Sequence, residues 1–512
     1  MAPPDEECWD SVWELRVNER PWSGMTMYNS LKLPSGTPER PSRRQSVVGY
    51  GLGLCLLVAA GPTGALAQVT CFGDPNCVQP VTGYAIGQPG TPNIDVVSHL
   101  PLPGIPFSHT DIEIEQDIER PFVYIAQRFG ASGFYAISIE DPEKPRVLYR
   151  WTIDNPDLHV GAGCVDIKYA KAEGRYYVIL SCQFGQGGPD ADLGAMLFDV
   201  TDLPDASTVR LVGELRLPDM PGGFHNVFAY RHTNGRSLLV ATTQSKDAFI
   251  YDIAQVARGI TDPVSEIAVP QPSAARTRQW HDMYIAYLPE AEQDRFYGAG
   301  TGGFHVFDMT DVENPRLLTS VTGIPGVQDG HTFTPTPDGR YALGMPEPTY
   351  QHSPVRFFDL QPEGSQGPTP NVVRGAGIGA WIPKFGGATH NHELRWPYVF
   401  ISAQDDGLQI VNMADPTRPF TVGYYHTRQN PMLHDPLGRN PSQATTGNIY
   451  NGAWGVDIRN EDGLIVVSDE NSGFWAFRLE GFQGWNGNNW SMPNVSSAQY
   501  WDDGPVQPQQ IR

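Results

Sequence analysis

Histidine is the residue type whose placement in this chain most invites chemistry. Thirteen are present, and six of them, His109, His225, His281, His331, His390 and His392, stand at the beginning of segments that alternate apolar and polar residues: HTDIEIEQ, HNVFAYR, HDMYIAY, HTFTPTP and HNHELRW. Neutral imidazole is a good ligand for Zn, Cu, Fe or Mn. Three or four imidazoles on one ion, with a position left to solvent, would polarise a bound oxygen or activate water or dioxygen. Carboxylates accompany them at Asp111, Asp166, Asp282, Glu393 and Asp457, where they could orient imidazole N–H groups around the ligands. His225, His281, His331 and His390 are the leading candidates. The competing expectation is a hydrated channel whose polar lining needs no metal.

Ligands scattered from position 109 to position 392 require a fold that gathers them. The stretch GLQIVNMADPTRPFTVGYY, from Gly407, alternates apolar residues, turns at Asp415-Pro416 and resumes after Pro419. Proline ends the first strand because it has no N–H for the ladder and a fixed φ. The unit returns as GFYAISIEDPEKPRVLYRW from Gly133 and GFHVFDMTDVENPRLLTSV from Gly303, with weaker copies from Ala195, Ala248, Val355 and Gly473. Their second residues, Phe134, Met196, Phe249, Phe304, Arg356, Leu408 and Phe474, define seven repeats. A repeat of this length built only of strands predicts an all-β chain, a seven-bladed β-propeller with one four-stranded sheet per repeat. NIDVVSHLPLP at 93–103 reads as an outermost strand without a blade, and the last repeat lacks one after Phe477. The N-terminal strand is therefore expected to complete the last blade, which closes the ring and removes a bare edge. Closure would bring the histidine-bearing inner strands to one end of the axial channel.

The GLQIVNMADPTRP type of repeat resembles the LVIVD repeat family of bacterial extracytoplasmic propellers, including the choice-of-anchor B group. The resemblance covers roughly residues 93–480 and lies chiefly in the repeats at 133, 303 and 407. It implies a propeller fold and a location outside the cytoplasm, and brings no catalytic residues with it. A histidine set in the channel would be similar in geometry, without implied kinship, to propellers that seat iron or copper, such as carotenoid-cleaving oxygenases and methanethiol oxidase.

The organisation expected is an N-terminal extension and signal over 1–67, a linker with a short cysteine loop over 68–92, the propeller over 93–481 and a polar tail over 482–512. VVGYGLGLCLLVAAGPTGALAQ follows Arg43-Arg44 and has small residues at Ala65 and Ala67, the pattern of a secretory signal. A true start at Met25 or Met27 would suit such a signal better than Met1. Sec export, twin-arginine export and a retained anchor stay open, and cleavage would leave no membrane span. Export permits disulfides. Cys71 and Cys77 bracket a short turn, and Cys164 and Cys182 flank a hairpin turning near Glu173-Gly174, so both pairs are expected to bridge; four buried or free thiols are the alternative.

A net charge of −22 argues against a nucleic-acid partner, which requires a basic face. No G-x-S-x-G elbow or cysteine-nucleophile pattern is present, and the glycine clusters at 185–188 and 300–303 read as turns. Asp405-Asp406 and Asp469-Glu470 could hold Ca²⁺ through loop oxygens or simply be solvated. His426 and His434 lie in a long insertion at 426–452 that could cover the channel mouth. Two function classes follow. One is an exported binding module whose polar, glycine-rich loops hold a protein, glycan or small molecule. The other is a metal-dependent enzyme, an oxidoreductase or a metal-assisted lyase or hydrolase, with its site at the top of the channel.

Overall fold

The computed structural model describes residues 89–485, apart from 104–107, 130–131, parts of 155–162, 185–190, 244–246, 271–278, 348–353, 362–369, 384–388, 405 and 428–451, together with 501–502. These residues all fall within the unit Gln68–Arg512. The Cys71/Cys77 loop, the proposed signal and most of the insertion lie outside the described residues.

Seven antiparallel sheets form the ring of a β-propeller. Blade 1 runs through His109–Ile114, Phe122–Gln127, Gly133–Ser138 and Arg146–Thr152, from the axis outward. Blade 2 uses Gly163–Ala172, Arg175–Gln183, Leu193–Asp199 and Arg210–Arg216. Blade 3 uses Phe224–Arg231, Ser237–Thr243, Asp247–Asp252 and Ser265–Ala268. Blade 4 uses Trp280–Leu288, Gln293–Gly300, Gly303–Asp308 and Arg316–Thr322. Blade 5 uses Asp329–Pro335, Tyr341–Glu347, Val355–Asp359 and Gly379–Trp381, and blade 6 His392–Arg395, Tyr398–Ser402, Leu408–Asn412 and Phe420–Tyr425. Blade 7 takes its three inner strands from Ala453–Ile458, Ile465–Asp469 and Gly473–Leu479. Its outer strand is Ile94–Leu100, antiparallel to the last strand with Ile94 opposite Leu479 and Leu100 opposite Phe474. The N-terminal strand therefore closes the ring as expected.

The repeat motif has a physical explanation in each part. Its leading glycine abuts the outer strand: a Cβ on Gly133 would lie 2.0 Å from the Trp151 carbonyl oxygen, and one on Gly407 2.1 Å from that of Tyr425. The apolar residues that follow fill the space between neighbouring blades, as where Phe134 meets Phe198 at 4.9 Å and Phe304 stacks on Phe333 at 4.8 Å. The aspartate caps the turn, Asp415 Oδ1 accepting from Thr417 N at 3.0 Å and Asp141 Oδ1 from Glu143 N at 3.1 Å.

One feature departs from a plain four-stranded repeat. After the third strand of blade 5 the chain crosses to its neighbour, where Asn371–Arg374 adds a parallel fifth strand to blade 4, and only then returns as Gly379–Trp381. The pairing of Cys164 with Cys182 is borne out: the two are opposite each other in blade 2 and bonded. Among the described residues, no helix is long and apolar enough to cross a membrane.

Candidate functional site

The inner strands share a device that decides what faces the axis. In blade 4, Trp280 pairs with Gly300 and Asp282 with Ala299, which leaves His281 as an extra residue. In blade 5, His331 is the extra residue between Gly330 and Thr332, and in blade 7 it is Trp454 between Ala453 and Gly455. Blade 2 has Val165 in this place, blade 1 has Thr110 with Asp111, and blade 3 has His225 with Asn226. Blade 6 matches them, since Ser402 accepts at its carbonyl from His390 N and donates its N–H to Asn391. A β-bulge bends the strand and re-aims a side chain. Around the ring, the bulge residues are Thr110, Val165, His225, His281, His331, His390 and Trp454.

A hydroxyl on the second strand of one blade holds the bulge of the next. Ser181 Oγ donates to the His225 carbonyl at 2.5 Å, Thr242 Oγ1 to that of His281 at 2.9 Å and Ser402 Oγ to that of Trp454 at 2.5 Å. Ser468 Oγ does the same for Thr110. These hydroxyls open a recurring S/T-x-Q/E pattern: SCQ at 181–183, TTQ at 242–244, SAQ at 402–404 and SDE at 468–470. The pattern marks these four blade seams in the sequence.

The bulges border an axial cavity of about 230 Å³. His225, His281, His331, His390 and His392 line it; His109 is not among its lining residues. His109 pairs with Gln127, one position before the bulge, in the register that Cys164, Phe224 and Trp280 occupy in the next three blades. It is buried at the seam with blade 7, its Nδ1 at 3.3 Å from the Glu470 carbonyl oxygen. His392 sits deeper, its Nε2 at 2.9 Å from Thr334 Oγ1.

The other four form a continuous arc across blades 3 to 6. His225 Nε2 lies 2.9 Å from His281 Nε2. The rings of His281 and His331 are 4.4 Å apart and those of His331 and His390 4.7 Å. A main-chain carbonyl only accepts, so His281 Nδ1, at 3.2 Å from the His331 oxygen, and His390 Nδ1, at 3.0 Å from the Trp454 oxygen, carry protons. His225 Nδ1 faces Gln183 Oε1 at 2.6 Å and carries one too. Neutral rings protonated on Nδ1 keep a lone pair on Nε2. Burial pushes the His225 pKa down to about 4, and those of His281, His331 and His390 well below the ordinary value. The arc is therefore neutral at physiological pH. Among the described residues, no group of three or more His, Cys, Asp or Glu side chains already has the arrangement of a metal cage.

Beneath the imidazoles lie the carboxylates. Asp111 and Asp166 both bind the Lys168 ammonium, which also donates to the Ile167 carbonyl at 3.1 Å. Asp166 Oδ2 accepts from Val227 N of the next blade at 2.7 Å, and Asp457 Oδ2 from Ile114 N at 3.0 Å. Asn391 reaches across the channel to Asp111 at 3.0 Å. Glu393 pairs with the buried Arg395 at 2.8 Å, which also approaches Asp457. Burial raises Asp111 and Glu113 well above the ordinary carboxylate range, and Asp282 and Asp457 to about 7. These carboxylates stitch blades together across the axis and form the cavity floor. At the rim, Arg128 lies over Trp454 at 4.3 Å and pairs with buried Glu470. Asp469 is also buried and accepts from Thr427 Oγ1 at 2.6 Å, so this acidic turn is held by the protein and not simply solvated.

His305 is buried within blade 4 against Ser320, away from the cavity. His352, His434 and Asp405 lie outside the described residues. Sequence reading missed Gln183, Arg128, Trp454 and Lys168 as site residues. No protein-family model matches the chain, and no curated protein is similar to it.

Proposed function

We propose that the protein is an exported, LVIVD-type propeller that holds a transition-metal ion on His225, His281, His331 and His390. One observation carries this reading: the Nε2 atoms of His225 and His281 lie 2.9 Å apart while the Nδ1 of each faces an oxygen, Gln183 Oε1 and the His331 carbonyl. With both protons on Nδ1, the two Nε2 lone pairs would repel unless a cation joined them. A cation at this point would be held by the two Nε2 atoms, one from blade 3 and one from blade 4. The Nδ1–H groups donate to carbonyl oxygens, the usual outer partners of metal-bound histidine. His331 and His390, next in the arc, would supply the further donors.

All-nitrogen donors suit Zn, Cu, Fe or Mn. The ion would supply Lewis-acid or redox chemistry. The chain's own residues would exclude bulk water, fix the imidazole tautomers and hold protons at the Asp111, Glu113 and Asp282 carboxyls. The cavity beside the arc admits a small molecule, which favours a metal-dependent enzyme over a scaffold for a protein or glycan. Export rests on the N-terminal signal pattern and on the Cys164–Cys182 bridge, which suits an oxidising compartment.

Elemental analysis of protein purified without chelator, and again after incubation with each ion, tests the reading. Near-stoichiometric metal is expected, lost in His281→Ala and His331→Ala. Wild-type protein that takes up none of the four ions would sink it.

A further inference from the structure

Gln183 occupies a position that the backbone fixes with unusual strictness. It ends the second strand of blade 2, pairs with Gly163 on one side and bridges to Gly223 of the next blade on the other. Both neighbours must be glycine. Gly163 has φ +82°, and a Cβ there would sit 2.4 Å from Ser132 Oγ; Gly223 has φ +72°, and a Cβ there would sit 2.2 Å from the Cys182 carbonyl oxygen. Cys182, bonded to Cys164, immediately precedes Gln183. Residues two apart on a strand share a face, so Ser181 and Gln183 act on the same target. Ser181 holds the His225 carbonyl at 2.5 Å, and Gln183 Oε1 meets the His225 ring at Nδ1, 2.6 Å away. Main chain and ring are thus gripped from one strand of the preceding blade.

From this we infer that Gln183 is the positioning residue for His225: its side-chain carbonyl holds the proton on Nδ1 and turns Nε2 toward His281. The inference rests on the metal reading for its consequence, but not for its own test. His281 and His390 take their Nδ1 partners from main-chain carbonyls, which no substitution removes. At His225 alone among these three, the tautomer depends on a side chain, so this is the ligand that a single substitution can disable without touching the imidazole.

Three proteins separate the outcomes: wild type, Gln183→Glu, which keeps an acceptor, and Gln183→Met, which has similar length and no carbonyl. Imidazole ¹⁵N NMR reads the tautomer of His225 directly, and Co²⁺ titration followed by its visible absorption reads metal binding. In the Met variant, the His225 Nδ1–H signature should be lost and Co²⁺ should bind about 10–100-fold more weakly. The Glu variant should restore both. An unchanged His225 tautomer in Gln183→Met would overturn the inference, whatever the metal does. Wild-type protein with the expected tautomer but no Co²⁺ spectrum would instead count against the metal centre and leave the role of Gln183 standing.

Discussion

Blades 3 to 6 and blades 7, 1 and 2 are built on the same backbone plan and carry opposite chemistry. Each inner strand bulges at the same place, but the bulge residue is His225, His281, His331 or His390 in the first group and Trp454, Thr110 or Val165 in the second. The hydroxyl grip is shared as well: Ser181 and Thr242 hold bulges with imidazoles, Ser402 and Ser468 hold bulges without them. The fold therefore supplies a bulge in every blade, and side-chain identity alone places imidazoles at four of them. The contrast between His109 and His225 is sharper still. The two differ by one residue of register, and that step moves an imidazole from the cavity wall to a buried seam between blades.

The largest effect should come from breaking this pair. His225→Asn or His281→Asn should reduce metal affinity by more than about a hundredfold, beyond the loss expected of an outer partner. His109→Asn should leave metal content unchanged and cost roughly 1–3 kcal/mol of stability, because it disturbs a buried polar contact. Elemental analysis and denaturant unfolding of the same samples measure both. Loss of metal from the His109 variant would show that the bulge register does not mark the ligands.

That distinction explains what was legible in the sequence. The third-strand motif is clearest at Gly133, Gly303 and Gly407, where its glycine, apolar alternation and capping aspartate each answer a local demand, and the apolar alternation alone carries it through the weaker copies. The closing strand at 94–100 was readable because one apolar strand had no sheet and one sheet had no edge. The cluster of His225, His281, His331 and His390 followed from placing each at the start of an inner strand. His109 looked equivalent on that rule, since a bulge shifts register without changing composition. Gln183 was invisible for another reason: its role depends on a neighbouring blade about forty residues away. The detour through Asn371–Arg374 carries no motif of its own.

A second comparison sets the imidazole wall against the carboxyl floor, which burial drives in opposite directions on the pH scale. His225 is lowered to about 4, so the folded state favours the neutral ring. The stability tied to it is present above pH 6.5, the unfolded value, and is lost as pH falls toward 4. Asp457 is raised to about 7, with burial the main cause and Glu393 next. The folded state favours its protonated form, so the associated stability is greatest near pH 4 and is lost as pH rises toward 7. In metal-free protein, the stability gap between wild type and His225→Asn should shrink on going from pH 6.5 to 4. The gap between wild type and Asp457→Asn should widen over the same interval. Parallel behaviour of the two gaps in urea titrations would mean that wall and floor do not titrate as separate layers.

The smallest effect tests whether the shared hydroxyl grip does the same work in both halves of the ring. Ser181→Ala and Ser468→Ala each delete one hydrogen bond to a bulge carbonyl and should each cost about 1 kcal/mol. If the grip only joins blades, the two variants should be alike in every respect. If it also sets the height of the side chain that the bulge presents, Ser181→Ala should weaken Co²⁺ binding a few-fold and Ser468→Ala should not. The second outcome is expected, because Ser181 shares its strand face with Gln183 and both converge on His225. Ser468 holds Thr110, whose hydroxyl turns instead to the Cys164 carbonyl at 3.0 Å. Equal stability losses with unequal metal affinities would separate the part of the scaffold that closes the ring from the part that aims a ligand.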